Sequence, residues 1–274
     1  MSRIARGYRV MFFLVIYISV ATMFAGGLIP LLNIDLGFVH LTIILQAIMF
    51  FVPFVAYLII TKQRVVDVLP LRPLGFKNFY LVIAITLVTL PMAGFLSAVT
   101  SLFVTNYVAE ILFYVTENYS LWMALLAIGV APSLFEELMF RGAIYKEFTY
   151  LPIKKAAILN GLFFGIIHMN LQQFLYAFAL GVLFSYFLYY TSSILAPIIA
   201  HFVINGFNTV LMFSVPADLL QEAEQLSYYP YYIMEPSPIL AVVVMGVISL
   251  ALVPLFIFLL KELRENNKIE LEEI

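Results

Sequence analysis

Residues 121–141 read LWMALLAIGVAPSLFEELMFR. This apolar run, long enough for a membrane helix, holds two adjacent carboxylates, Glu136 and Glu137, and ends at Arg141. A carboxylate at the centre of a bilayer helix costs about 2.5–3.5 kcal/mol even on lenient insertion scales. Two in succession are expensive unless they do something. His168 and His201 also lie inside apolar stretches, and Asn205 follows His201 by one helical turn. These polar residues, set in hydrocarbon, point to a reactive site within a membrane.

The composition fits that solvent. Of 274 residues, 64% are hydrophobic and only 11% charged, with a mean hydropathy of +1.05, which excludes a water-soluble globule. The formal net charge of −2 is too small to indicate a partner, and nothing suggests nucleic acid. The chain contains no cysteine, so disulfides, thiolate metal sites and a cysteine nucleophile are all excluded.

Eight apolar segments follow one another: Val10–Leu32, Leu36–Ile60, Phe79–Phe103, Leu121–Phe140, Ala156–His168, Phe174–Tyr190, Ile194–Phe213 and Pro238–Leu260. The fifth is short and contains Asn160. The basic start, Met1–Arg9, could mimic a signal peptide, but with seven further spans it reads as a retained first helix. No repeat or soluble module interrupts the chain. The expected fold is an all-α polytopic membrane protein, a single domain over 1–274 with eight transmembrane helices.

The distribution of charge supports the even count. Arg3, Arg6 and Arg9 precede the first span, and Lys62, Arg64, Arg72 and Lys77 lie between the second and third. Arg141, Lys146, Lys154 and Lys155 fall between the fourth and fifth, and Lys261, Arg264 and Lys268 follow the eighth. With eight spans all of them share one side. The opposite loops carry Asp35, Glu110, Glu117, Asp218, Glu222, Glu224 and Glu235 and no base. The positive-inside rule then places both termini in the cytoplasm.

Helical spacing organises the polar residues. Glu137 and Arg141 are i,i+4, the favourable order for an ion pair. Glu136 points about 100° away around the helix and is left without an obvious partner. His201 and Asn205 project toward one neighbour, and Asn160, Phe164 and His168 form a similar row. A glutamate beside a histidine can hold and deprotonate a water, then protonate a leaving amine. A second histidine and an asparagine amide can donate hydrogen bonds to the oxygen of a tetrahedral intermediate. Alternatively, Glu136, His168 and His201 are a reasonable ligand set for catalytic zinc, with water in the open position. The depths are in tension: counted along upright helices, Glu136 lies about 8 Å from the level of Arg141, His201 about 12 Å from Ser193 and His168 about 20 Å from Lys155. The fifth helix must therefore tilt or begin outside the bilayer.

Glu136-Glu137-Leu-Met-Phe-Arg141 reads as EExxxR, Phe164-Gly-Ile-Ile-His168 as FxxxH, and His201-Phe-Val-Ile-Asn205 as HxxxN. In this order, over about residues 131–208, they resemble the CPBP intramembrane proteases. That family comprises type II CAAX prenyl endopeptidases and bacteriocin-processing or immunity (Abi) homologues. The resemblance implies an eight-helix endopeptidase acting on a peptide or a prenylated protein C-terminus, with membrane lipid around it. By position, Glu136 and His168 would activate the water, His201 and Asn205 would form the oxyanion site, and Glu137 and Arg141 would support them. No metal is assigned. The host membrane would be the cell membrane in a prokaryote or the endoplasmic reticulum in a eukaryote.

Other features read as structural. His40 opens the second span at the outer interface, Trp122 and Tyr228–Tyr232 suit an aromatic belt, and Gly26 and Gly27 suit close packing or a kink. Glu270–Glu273 is a solvated charge run. Two other classes compete with a protease. A proton-coupled transporter would also bury Glu and His, but would show inverted repeats, and no matching halves occur. A non-proteolytic immunity or scaffold member of the same family would be expected to lack one of the four site residues, and all four are present.

Overall fold

The structure, a computed structural model, describes residues 3–31, 36–104, 114–216 and 238–267. Eight long helices account for most of them: α1 (Arg3–Leu31), α2 (Phe38–Thr61), α3 (Phe76–Ser101), α4 (Leu121–Phe148), α5 (Ile153–Ile167), α6 (Leu171–Thr191), α7 (Leu195–Ser214) and α8 (Pro238–Asn266). All but α5 are long and apolar enough to cross a membrane. At 15 residues, α5 is about 22 Å long, short of the roughly 30 Å hydrocarbon layer. It is sheltered among its neighbours, which relieves it of that requirement. The chain is an integral, multi-pass, all-α membrane protein.

Three stretches within these helices are π-helical: Ala47–Phe51 in α2, and Leu125–Val130 and Leu138–Ile144 in α4. The first two end just before Pro53 and Pro132. A proline removes an N–H and crowds the carbonyl four residues back, and widening the turn relieves that crowding. The stranded carbonyls find side chains instead. The Val52 N–H bonds Ala47, leaving Ile48 O to the Tyr17 hydroxyl at 2.9 Å. Ile128 O, four residues before Pro132, accepts from Asn205 Nδ2 at 3.0 Å.

The fourth span runs eight residues past the expected end at Phe140. Arg141 does not lie in a cytoplasmic loop: its side chain is fully buried within α4. Ion pairing to Glu137 removes the cost that made a lone arginine look like a membrane boundary. The extension also eases the depth mismatch. Counted from Phe148, Glu136 is about 18 Å in, against about 22 Å for His168 counted from Ile153.

The basic ends gather at one end of the bundle. Arg6 of α1 bonds Glu147 near the end of α4 at 2.6 Å, and the Tyr57 hydroxyl from α2 bonds the other oxygen of Glu147 at 2.6 Å. The loop after α2 is pinned to the α6–α7 turn by Ser193 Oγ donating to Arg72 O at 2.6 Å and by Ile194 N to Pro70 O at 2.8 Å. Lys77 of α3 faces Glu262 of α8 at 3.8 Å. The acidic loop positions other than Glu117, the tyrosines 228–232 and the tail 270–273 lie outside the described residues.

Two apolar cores result. One joins α1, α2, α4 and α5 through Met11, Ile18, Phe54, Phe140, Phe148 and Phe164. The other joins α3, α6, α7 and α8 through Val82, Ile85, Phe184, Phe187, Ile204 and Leu263. The candidate site sits on the seam, where Phe164 meets Phe184 with centroids 6.5 Å apart.

Candidate active site

Glu137 is the centre of the polar cluster. Its carboxylate takes Arg141 Nη1 at 3.2 Å and His201 Nδ1 at 2.8 Å on Oε1, while Arg141 Nε lies 3.0 Å from Oε2 in an ion pair without hydrogen-bond alignment. Arg141 Nη2 donates to Gly181 O at 3.1 Å, so its charge is spent on α4 and α6 together. The guanidinium also stacks over Phe164 at 4.6 Å and Phe184 at 5.2 Å from the ring centroids. The Glu137–Arg141 pair has the spacing expected of it. That Glu137 also holds a histidine was not visible in the sequence.

Glu136 faces elsewhere. It is 6% exposed, and its Oε1 accepts from Gln46 Nε2 of α2 at 3.3 Å. Its Oε2 is buried with no hydrogen-bond partner among the described residues. Gln46 is therefore a partner the sequence reading missed. The one available signal was an amide inside the apolar run Phe38–Thr61.

His168 ends α5, immediately before Met169, which takes the left-handed conformation at φ 46° and turns the chain toward α6. Its Nδ1 lies 2.6 Å from Phe164 O. A carbonyl oxygen can only accept, so Nδ1 carries the hydrogen and the neutral ring presents Nε2 as an acceptor. The same logic applies to His201: a carboxylate at Nδ1 fixes that hydrogen, and Nε2 becomes a donor only when the ring is doubly protonated. Phe164 separates and orients the two rings, with centroids 5.0 Å from His168 and 5.8 Å from His201.

His201 and Asn205 do project toward one helix, as their spacing requires: His201 reaches Glu137 and Asn205 reaches Ile128 O, both on α4. The Asn205 bond repairs the proline-stranded carbonyl and uses one of its two amide hydrogens. The row Asn160, Phe164, His168 also lines up. Asn160 Nδ2 donates to Phe140 O at 2.9 Å, and the Phe164 and Phe140 rings meet edge to face at 5.0 Å.

Zinc can be tested on this arrangement. Among the described residues no three His, Cys, Asp or Glu side chains converge as a metal site, so Glu136, His168 and His201 do not form the ligand set considered for it. Both histidines pack against Phe164 and leave Nε2 open, so what the zinc set lacks is convergence with Glu136 rather than free nitrogens. No step is routed through a metal. A separate cavity of ≈ 510 Å³ opens at the basic end between Val66–Pro70, α4 and the end of α6, with Arg141 at its floor. Neither Glu136 nor His168 lines it.

Residues 118–207 match the family described as type II CAAX prenyl endopeptidase Rce1-like. The matched segment, about a third of the chain, holds the EExxxR, FxxxH and HxxxN motifs. A protein of Bacillus subtilis (strain 168), provisionally named membrane peptidase YdiL, is 26% identical over 98 residues. That alignment covers 34% of this chain and 39% of the relative. No solved structure matches the chain.

Proposed function

We propose that this chain is an intramembrane endopeptidase that hydrolyses a peptide bond near the C-terminus of a peptide or prenylated protein, using water activated by Glu136 and His168. The observation that carries this reading is the Glu136 carboxylate: an oxygen buried in a membrane helix, with no ion pair among the described residues although Arg141 lies five residues away. Most buried carboxylate oxygens in proteins are hydrogen-bonded, and the other unbonded one among the described residues, Glu137 Oε2, at least lies 3.0 Å from Arg141 Nε. The match of residues 118–207 to a CAAX endopeptidase family supports the reaction class.

The steps follow from the donors and acceptors. A water hydrogen-bonds to Glu136 Oε2 and to His168 Nε2. As its oxygen attacks the carbonyl carbon, one proton passes to Glu136. The developing oxyanion accepts the second amide hydrogen of Asn205 and, when His201 is doubly protonated, its Nε2–H. Glu137 orients that ring by holding its Nδ1–H. When the intermediate collapses, the C–N bond breaks and Glu136 returns the proton to the amine nitrogen. Water and amide become acid and amine, and the enzyme is restored.

The test is incubation of the purified chain with a farnesylated CAAX peptide and with its unprenylated counterpart. Release of the C-terminal fragment by the wild-type chain supports the reading, and preference for the farnesylated peptide identifies the CAAX branch. Failure to cut either would count against it.

A further inference from the structure

We propose that Gln46 is a positioning residue of the hydrolytic site, steadying Glu136 with its side-chain amide while that carboxylate gains and returns a proton. This rests on the reading of Glu136 as the base. Gln46 is an uncharged polar residue in an apolar membrane helix, a placement that costs free energy unless its amide is used. Its Nε2 lies 3.3 Å from Glu136 Oε1, yet its own Oε1 is buried without a donor among the described residues. Glu136 Oε2 is in the same condition. Gln172 also leaves its Oε1 unpartnered, but its amide goes to the hydroxyls of Ser97 and Ser101, whereas that of Gln46 goes to a carboxylate. Here the amide meets one oxygen of a carboxylate and leaves one acceptor on each partner free.

That pattern suits a group whose protonation changes. The amide N–H donates to Oε1 of the ionised carboxylate and can still hold that oxygen when Oε2 takes the proton, so Glu136 stays in place through both states. The backbone beneath is held firmly. Gln46 immediately precedes the π-helical stretch Ala47–Phe51, which is locked by Pro53 and by the Tyr17 hydroxyl on Ile48 O.

The test uses the full-length protein in lipid vesicles, with two readouts that fail separately. Gln46→Met keeps length and volume while removing the amide; Gln46→His restores an N–H of similar reach. The first readout is cleavage of the farnesylated CAAX peptide. The second, independent of activity, is the rate at which an apolar carbodiimide modifies Glu136, followed by mass spectrometry; the reagent adds to a protonated carboxyl. A hydrogen bond to a charged group is worth enough that Gln46→Met should lower kcat by about tenfold, with KM within a factor of about two. Carbodiimide labelling of Glu136 should rise by about tenfold by the same argument, and Gln46→His should restore both toward wild type. If labelling responds while the wild-type chain cleaves no peptide, the proteolytic reading falls and the Gln46–Glu136 coupling stands. Labelling unchanged in Gln46→Met, whether kcat holds or falls together with thermal stability, overturns the proposal.

Discussion

Glu137 and Glu136 are neighbours in sequence with opposite fates, and the cause is geometric. One turn of helix brings Arg141 to Glu137, and the fold adds His201 on the same carboxylate. The helical offset carries Glu136 away from both, to Gln46. Removing the Glu137 charge leaves Arg141 buried and poorly compensated, so Glu137→Gln should destabilise the protein by about 3–5 kcal/mol, the range for breaking a buried pair. Arg141→Ala should cost a comparable amount. Thermal melting in one detergent checks this, and unchanged melting in both variants would show that the pair carries no structural load. Glu136→Gln should melt near wild type, because its acceptor is not part of an ion pair. Part of this was legible: EExxxR, FxxxH and HxxxN picked out the candidate residues, and i,i+4 spacing gave the Glu137–Arg141 pair. The contacts of Glu137 with His201 and of Glu136 with Gln46 span 64 and 90 residues. No local spacing encodes them.

Among the elements, α5 and α6 set the position of His168. Their backbones approach at two glycines: a Cβ on Gly161 would stand 2.7 Å from Phe178 O and 2.9 Å from Val182 N, and one on Gly181 would stand 2.8 Å from Gly161 Cα. These contacts are with backbone, which cannot rotate aside, so the helices would have to separate. Small residues permit such close packing in membranes. Gly161→Ala should therefore lower stability by about 1–3 kcal/mol and reduce peptide cleavage by moving His168. Gly206→Ala is the matched control, since its Cβ would meet nothing closer than Leu125 Cδ2 at 3.6 Å. Equal melting of the two variants would remove the glycine contact from the account. The number of hydrophobic segments was legible at this scale, but the end of α4 was not. Arg141 looked like a membrane boundary because a sequence window registers its charge and not the carboxylate that neutralises it.

For the whole molecule, the basic ends collect at one end of the bundle, and the positive-inside rule places that end in the cytoplasm. The natural absence of cysteine makes this directly measurable. Single cysteines replacing exposed Lys62 or Lys146 should react with a membrane-impermeant thiol reagent only from the cytoplasmic side, and one replacing exposed Trp122, at the start of α4, from the opposite side. Reaction of all three from one side would break the topology. Within that frame, Glu136 is a buried carboxylate with no ion pair among the described residues, which is the feature the catalytic reading depends on. The most direct measurement is the rate of farnesylated CAAX peptide cleavage by the wild-type chain and by Glu136→Gln, reconstituted side by side in the same vesicles. Loss of a general base lowers the rate by about 10²–10⁴-fold, and that is the result expected for Glu136→Gln with folding intact. Cleavage within about threefold of wild type, against the 10²-fold minimum for a general base, would contradict the account.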